Sequence, residues 1–288
     1  MSRKKLHLPT DRPLFGILLA AFAAAFFVLV AVPPARAAEG SEDGVTPPMP
    51  LLPLPEKKQL TWQHNEMAMF VHFGVNTFTD REWGNGQEDP DVFHPTDLST
   101  DQWARVAKET GFKTIILTAK HHDGFCLWPS AYTDHSVEST DWRDGEGDVV
   151  GALAESCRKA GLELGLYLSP WDRHEPTYGQ QTAYNEFYMG QLRELLTSYG
   201  PLREVWFDGA KGSDAPDMEY RFDTYWAMVH QMQPGAVIFS DKGPGVRWVG
   251  NEHGSAGSVC WGMMDPSGIE VGGADRQYLN QGDPQGTH

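Results

Sequence analysis

Glu204-Val205-Trp206-Phe207-Asp208-Gly209-Ala210 is an apolar run of strand character that breaks off at an acid followed at once by glycine. A side chain at the last position of a buried parallel strand sits at the carboxyl end of a sheet. That rim is where α/β barrels and open α/β sheets place their active residues. Gly209 lets the backbone turn close to whatever binds there. An Asp-Gly pair taken alone is also an ordinary turn dipeptide, so the weight rests on what surrounds it.

Working outward, the same pattern repeats. Met67 to Gly74 is a short apolar run ending in polar residues. Ser99 is placed to cap a helix whose Trp103, Val106, Ala107 and Thr110 recur at helical spacing before Gly111. Thr114 to Lys120 reads as a second strand running into His121-His122-Asp123-Gly124. Asp148 opens a second helix that buries Val150, Leu153, Ala154 and Cys157 up to Gly161. Leu162 to Ser169 is a third strand, and a third helix buries Tyr188, Leu192, Leu195, Leu196 and Tyr199. Asp208 then terminates strand four. A helix carrying Phe222, Tyr225, Trp226 and Val229 leads to strand five, Ala236 to Ser240.

Alternating strands and helices at this spacing imply right-handed βαβ units and a parallel sheet, hence the α/β class. No strand is followed by a GxGxxG or GxxxxGK[ST] loop, and polar residues cluster after every strand instead of at one switch point. Both features favour a TIM-like (β/α)8 barrel over an open sheet.

The first 37 residues read as a secretory signal peptide. Arg3, Lys4 and Lys5 precede an apolar run from Leu14 to Val32, and Ala35-Arg36-Ala37 is a small-residue cleavage site. The run is long enough that a membrane anchor is the alternative. Residues 38–59 are proline-rich and aperiodic, an expected extended linker, and 60–288 form the expected catalytic domain. The net charge is −16, and removing a leader that holds five basic residues and one acid makes the chain more acidic still. Such a surface repels nucleic acid and anionic membranes and suits neutral or cationic partners. Three widely spaced cysteines, Cys126, Cys157 and Cys260, suggest neither a disulfide framework nor a zinc knuckle.

At the strand ends stand His72, Asn76, Glu82 and Trp83; His121, His122 and Asp123; Tyr167 and Trp171; and Asp208. Aromatic faces pack on the apolar face of a sugar ring, while His, Asn and Glu direct hydrogen bonds to hydroxyls. A glycosidase also needs a second carboxyl group. Glu252, in the glycine-rich stretch from Gly245 to Gly254, is the candidate, with a pKa that its surroundings can raise for proton donation.

Six stretches in order carry a resemblance to glycoside hydrolase family 29, the retaining α-L-fucosidases. They are Phe70 to Phe78, Glu82-Trp83-Gly84, Ala119 to Pro129, Tyr167 to Arg173, Val205 to Gly209 and Arg247 to Glu252. The resemblance implies that Asp208 is the nucleophile and Glu252 the acid/base. It also implies that His72, His121, His122, Glu82 and Trp83 line the fucose pocket, with Asn76, Tyr167, Trp171 and Arg247 as further substrate-binding candidates. The Arg-Trp-Val-Gly-Asn-Glu form looks like the branch acting on α-1,3/1,4-fucosylated oligosaccharides. The implied reaction is exo-hydrolysis of terminal α-linked fucose by double displacement, needing neither metal nor organic cofactor. Its partner is a fucosylated oligosaccharide or glycoconjugate, not nucleic acid, and the implied location is secreted or periplasmic.

Two rival readings stand beside this. One is a fucosylated-glycan-binding protein without catalysis, against which both carboxyls are present. The other is a metal-dependent hydrolase using His72, His121, His122 and Asp208, against which adjacent histidines on a strand should point apart. Finally, only one further short strand, around Ser258 to Trp261, is expected after strand five. Members of this family complete the barrel and add a C-terminal β-sandwich, so the resemblance implies a chain truncated on its C-terminal side.

Overall fold

A computed structural model of the chain describes residues 48–50, 52–209, 211–250, 256–258, 260, 262–267, 269 and 271. The expected signal peptide and half of the proline-rich stretch lie outside the described residues, as does Glu252. One compact unit begins at Pro50.

Six strands, β1 (Ala68–Val71), β2 (Thr114–Lys120), β3 (Glu163–Leu168), β4 (Leu202–Trp206), β5 (Val237–Ser240) and β6 (Val246–Arg247), pair in sequence order in one sheet. Every pairing is parallel. Helices α2 (Thr100–Glu109), α3 (Val149–Ala160), α4 (Gln181–Ser198) and α5 (Phe222–Met232) fall between strands as the periodicity requires. Ser99 Oγ accepts from Gln102 N, and Asp148 Oδ1 accepts from Gly151 N, the two caps that start α2 and α3. Gly161 at φ +67° closes α3.

The sheet curls. Phe70 on β1 meets the Trp206 ring on β4 at 5.5 Å, whereas three strand spacings in a flat sheet put β1 and β4 about 14 Å apart. Phe70, Tyr167, Trp206 and Phe239 form an aromatic row on the concave face. The opposite face of the sheet is covered by helices. Phe207, for example, is buried among Tyr188, Tyr225 and Phe222, which stabilises the fold by about 2 kcal/mol for a ring of that size. The described residues thus form adjacent strands of a (β/α)8 barrel, an α/β fold.

Several expectations need correction. β4 ends in the ladder at Trp206, so Asp208 stands two residues past it, although Phe207 N still donates to Phe239 O. The sixth strand is Val246–Arg247, while Ser258 and Cys260 lie in no strand. On α2 the fully buried apolar positions are Ala104 and Ala107. Trp103 and Val106 are half-buried, and Thr110 is exposed with its hydroxyl spent on Val106 O.

A helix that periodicity does not announce, α1 (Lys57–Asn65), takes up the end of the stretch read as linker. It packs by polar side chains, which is why no apolar stripe marks it. Trp62 Nε1 donates to Glu204 Oε2 at 2.6 Å, Gln59 Nε2 to Gly245 O at 2.7 Å, and Asn65 Nδ2 to Thr114 Oγ1 at 3.3 Å. Burial pushes the Glu204 carboxyl up to about 7, with the Trp62 N–H pulling the other way. No helix among the described residues is long and apolar enough to cross a membrane.

Candidate active site

The carboxyl ends of β1 to β4 bring most of the sequence candidates together. Past β2 the chain leaves the strand at Lys120, so alternation no longer governs side-chain direction. His121 and His122 therefore do not point apart, contrary to the sequence expectation. Their rings stack at 4.0 Å and 30°. His72, past β1, meets His121 edge-on at 4.5 Å. Tyr167, from β3, lies 5.8 Å from His121, and its hydroxyl donates to Asp208 Oδ2 at 2.6 Å. His122 Nε2 stands 3.7 Å from that same oxygen. Trp171 flanks His122 at 4.8 Å, and Trp83 meets Trp171 edge-on at 5.3 Å and His122 at 5.6 Å.

The remaining candidates are less central. Glu82 is exposed, and its charge, with that of Asp208, partly offsets the burial that lowers the His72 pKa. Asn76 is buried and engaged within the protein, with Nδ2 donating to Asp123 Oδ2 at 2.8 Å and Oδ1 accepting from Thr79. Arg247 sits on β6, where Nη1 donates to Trp248 O, and Trp248 lies 6.2 Å from Trp206 in the aromatic row.

Electrostatically the site is a carboxylate among neutral imidazoles. Burial first, then the neighbouring histidines, lowers His121 to about 2. Burial, His72 and the cations Arg173 and Lys120 lower His122 to about 3. Tyr167 is pushed well above its ordinary value by burial and by the charge of Asp208, so its hydroxyl stays a donor to that carboxylate.

Beneath the rim lies a charged layer in which sequence reasoning singled out Asp123 but passed over Lys120 and Asp172. Lys120, fully buried, donates to Asp172 Oδ2 at 2.7 Å and Gln191 Oε1 at 2.8 Å and lies over the Phe187 and Tyr188 rings. Burial alone raises the Asp172 carboxyl, but Lys120 and the N–H groups of His174 and Glu175 hold it below the ordinary value. Asp123 accepts from Phe125 N and Asn76, yet burial pushes it up to about 7. A signal was available. A lysine ending an apolar strand must find a buried counter-charge. Gly124, at φ +83°, lies where an added Cβ would sit 2.4 Å from Asp172 Oδ1. Ser169, which bonds His122, left no trace in composition or spacing.

A rim of aromatic faces, imidazoles and one carboxylate bound by a tyrosine can hold a polyhydroxylated ring and present it with a nucleophile. Residues 55–258 match the family model described as Alpha-L-fucosidase. The chain belongs to the alpha-L-fucosidase family. Alpha-L-fucosidase 1 of Arabidopsis thaliana is 58% identical over 239 residues, covering 83% of this chain and 47% of that protein. Among solved structures, a glycoside hydrolase 29 family member from an unknown rumen bacterium is 45% identical with a TM-score of 0.76, over 81% of this chain and 44% of that one. The family 29 fucosidase of Ruminococcus gnavus in complex with fucose is 37% identical with a TM-score of 0.68, over 73% and 48% of the two chains. The chain thus spans about half the length of the relatives it matches.

Proposed function

We propose that this protein hydrolyses terminal α-linked fucose from oligosaccharides or glycoconjugates with retention of configuration. The observation that carries the reading is the convergence of Tyr167 and His122 on one oxygen of Asp208, inside a chain that belongs to a fucosidase family. In this reading Asp208 attacks the anomeric carbon and the glycosidic bond breaks as Glu252 gives its proton to the departing oxygen. Glu252 then takes a proton from water, whose oxygen displaces Asp208 and releases fucose. Tyr167 stabilises the carboxylate before attack and after release. His72, His121, His122, Glu82, Trp83 and Trp171 bind the sugar. Asn76 serves indirectly, by holding Asp123 below the rim, and Arg247 belongs to the far side of the pocket.

The Arg247 to Glu252 motif supports action on α-1,3/1,4-fucosylated branched oligosaccharides. The basic start, apolar run and Ala-x-Ala site at the N-terminus support secretion, with cleavage after Ala37. Incubation of the full-length protein with Lewis-type oligosaccharides and fucosyllactose tests the activity by release of free fucose. Binding without release identifies a glycan-binding protein instead. N-terminal sequencing of exported material tests the leader, and residues 1–37 still attached would count for an anchor.

A further inference from the structure

We infer that Ser169 is a positioning residue that fixes His122 as the Nδ1–H tautomer, so that Nε2 faces Asp208 as a hydrogen-bond acceptor for a substrate hydroxyl. Ser169 is fully buried just past β3, and its Oγ lies against Trp171 O at 2.6 Å, His122 Nδ1 at 2.7 Å and the Tyr167 hydroxyl, whose own proton goes to Asp208. A serine hydroxyl has one proton and a backbone carbonyl has none. The proton must therefore lie toward Trp171 O, because two bare oxygens at that separation would set lone pair against lone pair. Ser169 Oγ then has only acceptor capacity left for His122. It follows that Nδ1 carries the imidazole proton.

The other ring nitrogen gives independent support. Nε2 lies 3.7 Å from Asp208 Oδ2, beyond hydrogen-bond range, and that oxygen already accepts from Tyr167 at 2.6 Å. A protonated Nε2 beside a carboxylate would close to a charge-assisted bond. Two acceptors facing each other across this gap accommodate a donor instead. The His121 ring stacked at 4.0 Å and Trp171 at 4.8 Å prevent the imidazole from swinging away. Burial keeps the ring neutral, so one nitrogen is always bare. Only the identity of the donor, a sugar hydroxyl, rests on the proposed function.

The test is a nitrogen-15 spectrum of the full-length protein labelled at histidine, with His122 assigned by comparison with His122→Gln. At neutral pH Nδ1 should appear as a protonated, pyrrole-type nitrogen and Nε2 as a bare, pyridine-type one. The reverse pattern, or a doubly protonated ring, overturns the inference. Ser169→Ala should transfer proton population to Nε2 and lower kcat/KM on an aryl fucoside about tenfold, and Ser169→Thr, which keeps the hydroxyl, should restore the wild-type pattern. A Ser169→Ala protein with an unchanged His122 spectrum also overturns it. If the wild-type spectrum is as expected but no fucose is released from any substrate, the tautomer assignment stands and the proposed activity falls.

Discussion

The Tyr167 hydroxyl donates to Asp208 Oδ2 at 2.6 Å, from a ring that is itself 2% exposed. A rigid donor of this kind holds a carboxylate in place. Tyr167→Phe removes the donor while keeping the ring in the aromatic row. Fucosidase turnover should fall about tenfold, with folding cooperativity retained. Wild-type turnover in the Phe variant would show that the bond has no part in the reaction.

On the proposed mechanism the two carboxyls have separable roles. Asp208→Ala should abolish turnover without unfolding the protein, because the residue sits past the end of β4. Azide should partly restore cleavage by replacing the missing nucleophile. Glu252→Ala should slow substrates with poor leaving groups far more than activated aryl fucosides, since only the former need protonation. Equal losses on both substrates would count against the acid role.

The buried pair under the rim is a matter of stability. Lys120→Met leaves the Asp172 charge, whose side chain is 1% exposed, without its counter-ion. Urea unfolding should show a loss of about 3–5 kcal/mol. Lys120→Met combined with Asp172→Asn should recover part of it. No recovery in the double variant would mean that the pair acts through Gln191 and the aromatic rings instead.

The histidines set an acid dependence. Folding holds His122 at about 3 and His121 at about 2, against 6.5 for an unperturbed imidazole. Between these limits the unfolded chain binds more protons, so acid favours unfolding. The stability contribution of these rings is present above 6.5 and lost as pH falls toward the folded values. His122→Gln removes one such proton site. Its unfolding free energy should therefore decline less than that of wild type between about pH 7 and about pH 4. A steeper decline in the variant would contradict the lowered His122 value.

Among the described residues, His121, His122 and Asp208 are the one group close enough to share a metal ion, with ligand atoms within 4.8 Å of one another. In the proposed reaction these groups act on a sugar, and Asp208 Oδ2 already accepts from the Tyr167 hydroxyl. Activity should survive prolonged EDTA treatment. Loss in EDTA with recovery on adding zinc would reassign the cluster to a metal-dependent hydrolase.

The chain's local patterns determined much of this by themselves. Short apolar runs separated by capped helices specify parallel βαβ units, because burial on both faces of a strand and on one stripe of a helix leaves a periodic record. Ser99, Asp148 and Gly161 mark the helix ends they form in space. The rim candidates were legible for the same reason: polar residues directly after buried runs have only the sheet's carboxyl edge to occupy.

Other features were decided only by the tertiary structure. α1 packs through Gln59, Trp62 and Asn65 onto residues up to 186 positions away in sequence, and such polar, long-range contacts have no period to detect. The stacking of His121 on His122 depends on where β2 stops pairing, which the partner strand sets. The partners of Lys120 and the tautomer-setting contact of Ser169 exist only once β2, β3 and α4 are packed. Hydrogen bonds between distant side chains are directional and pairwise, and they become readable only when three-dimensional packing brings donor and acceptor within reach.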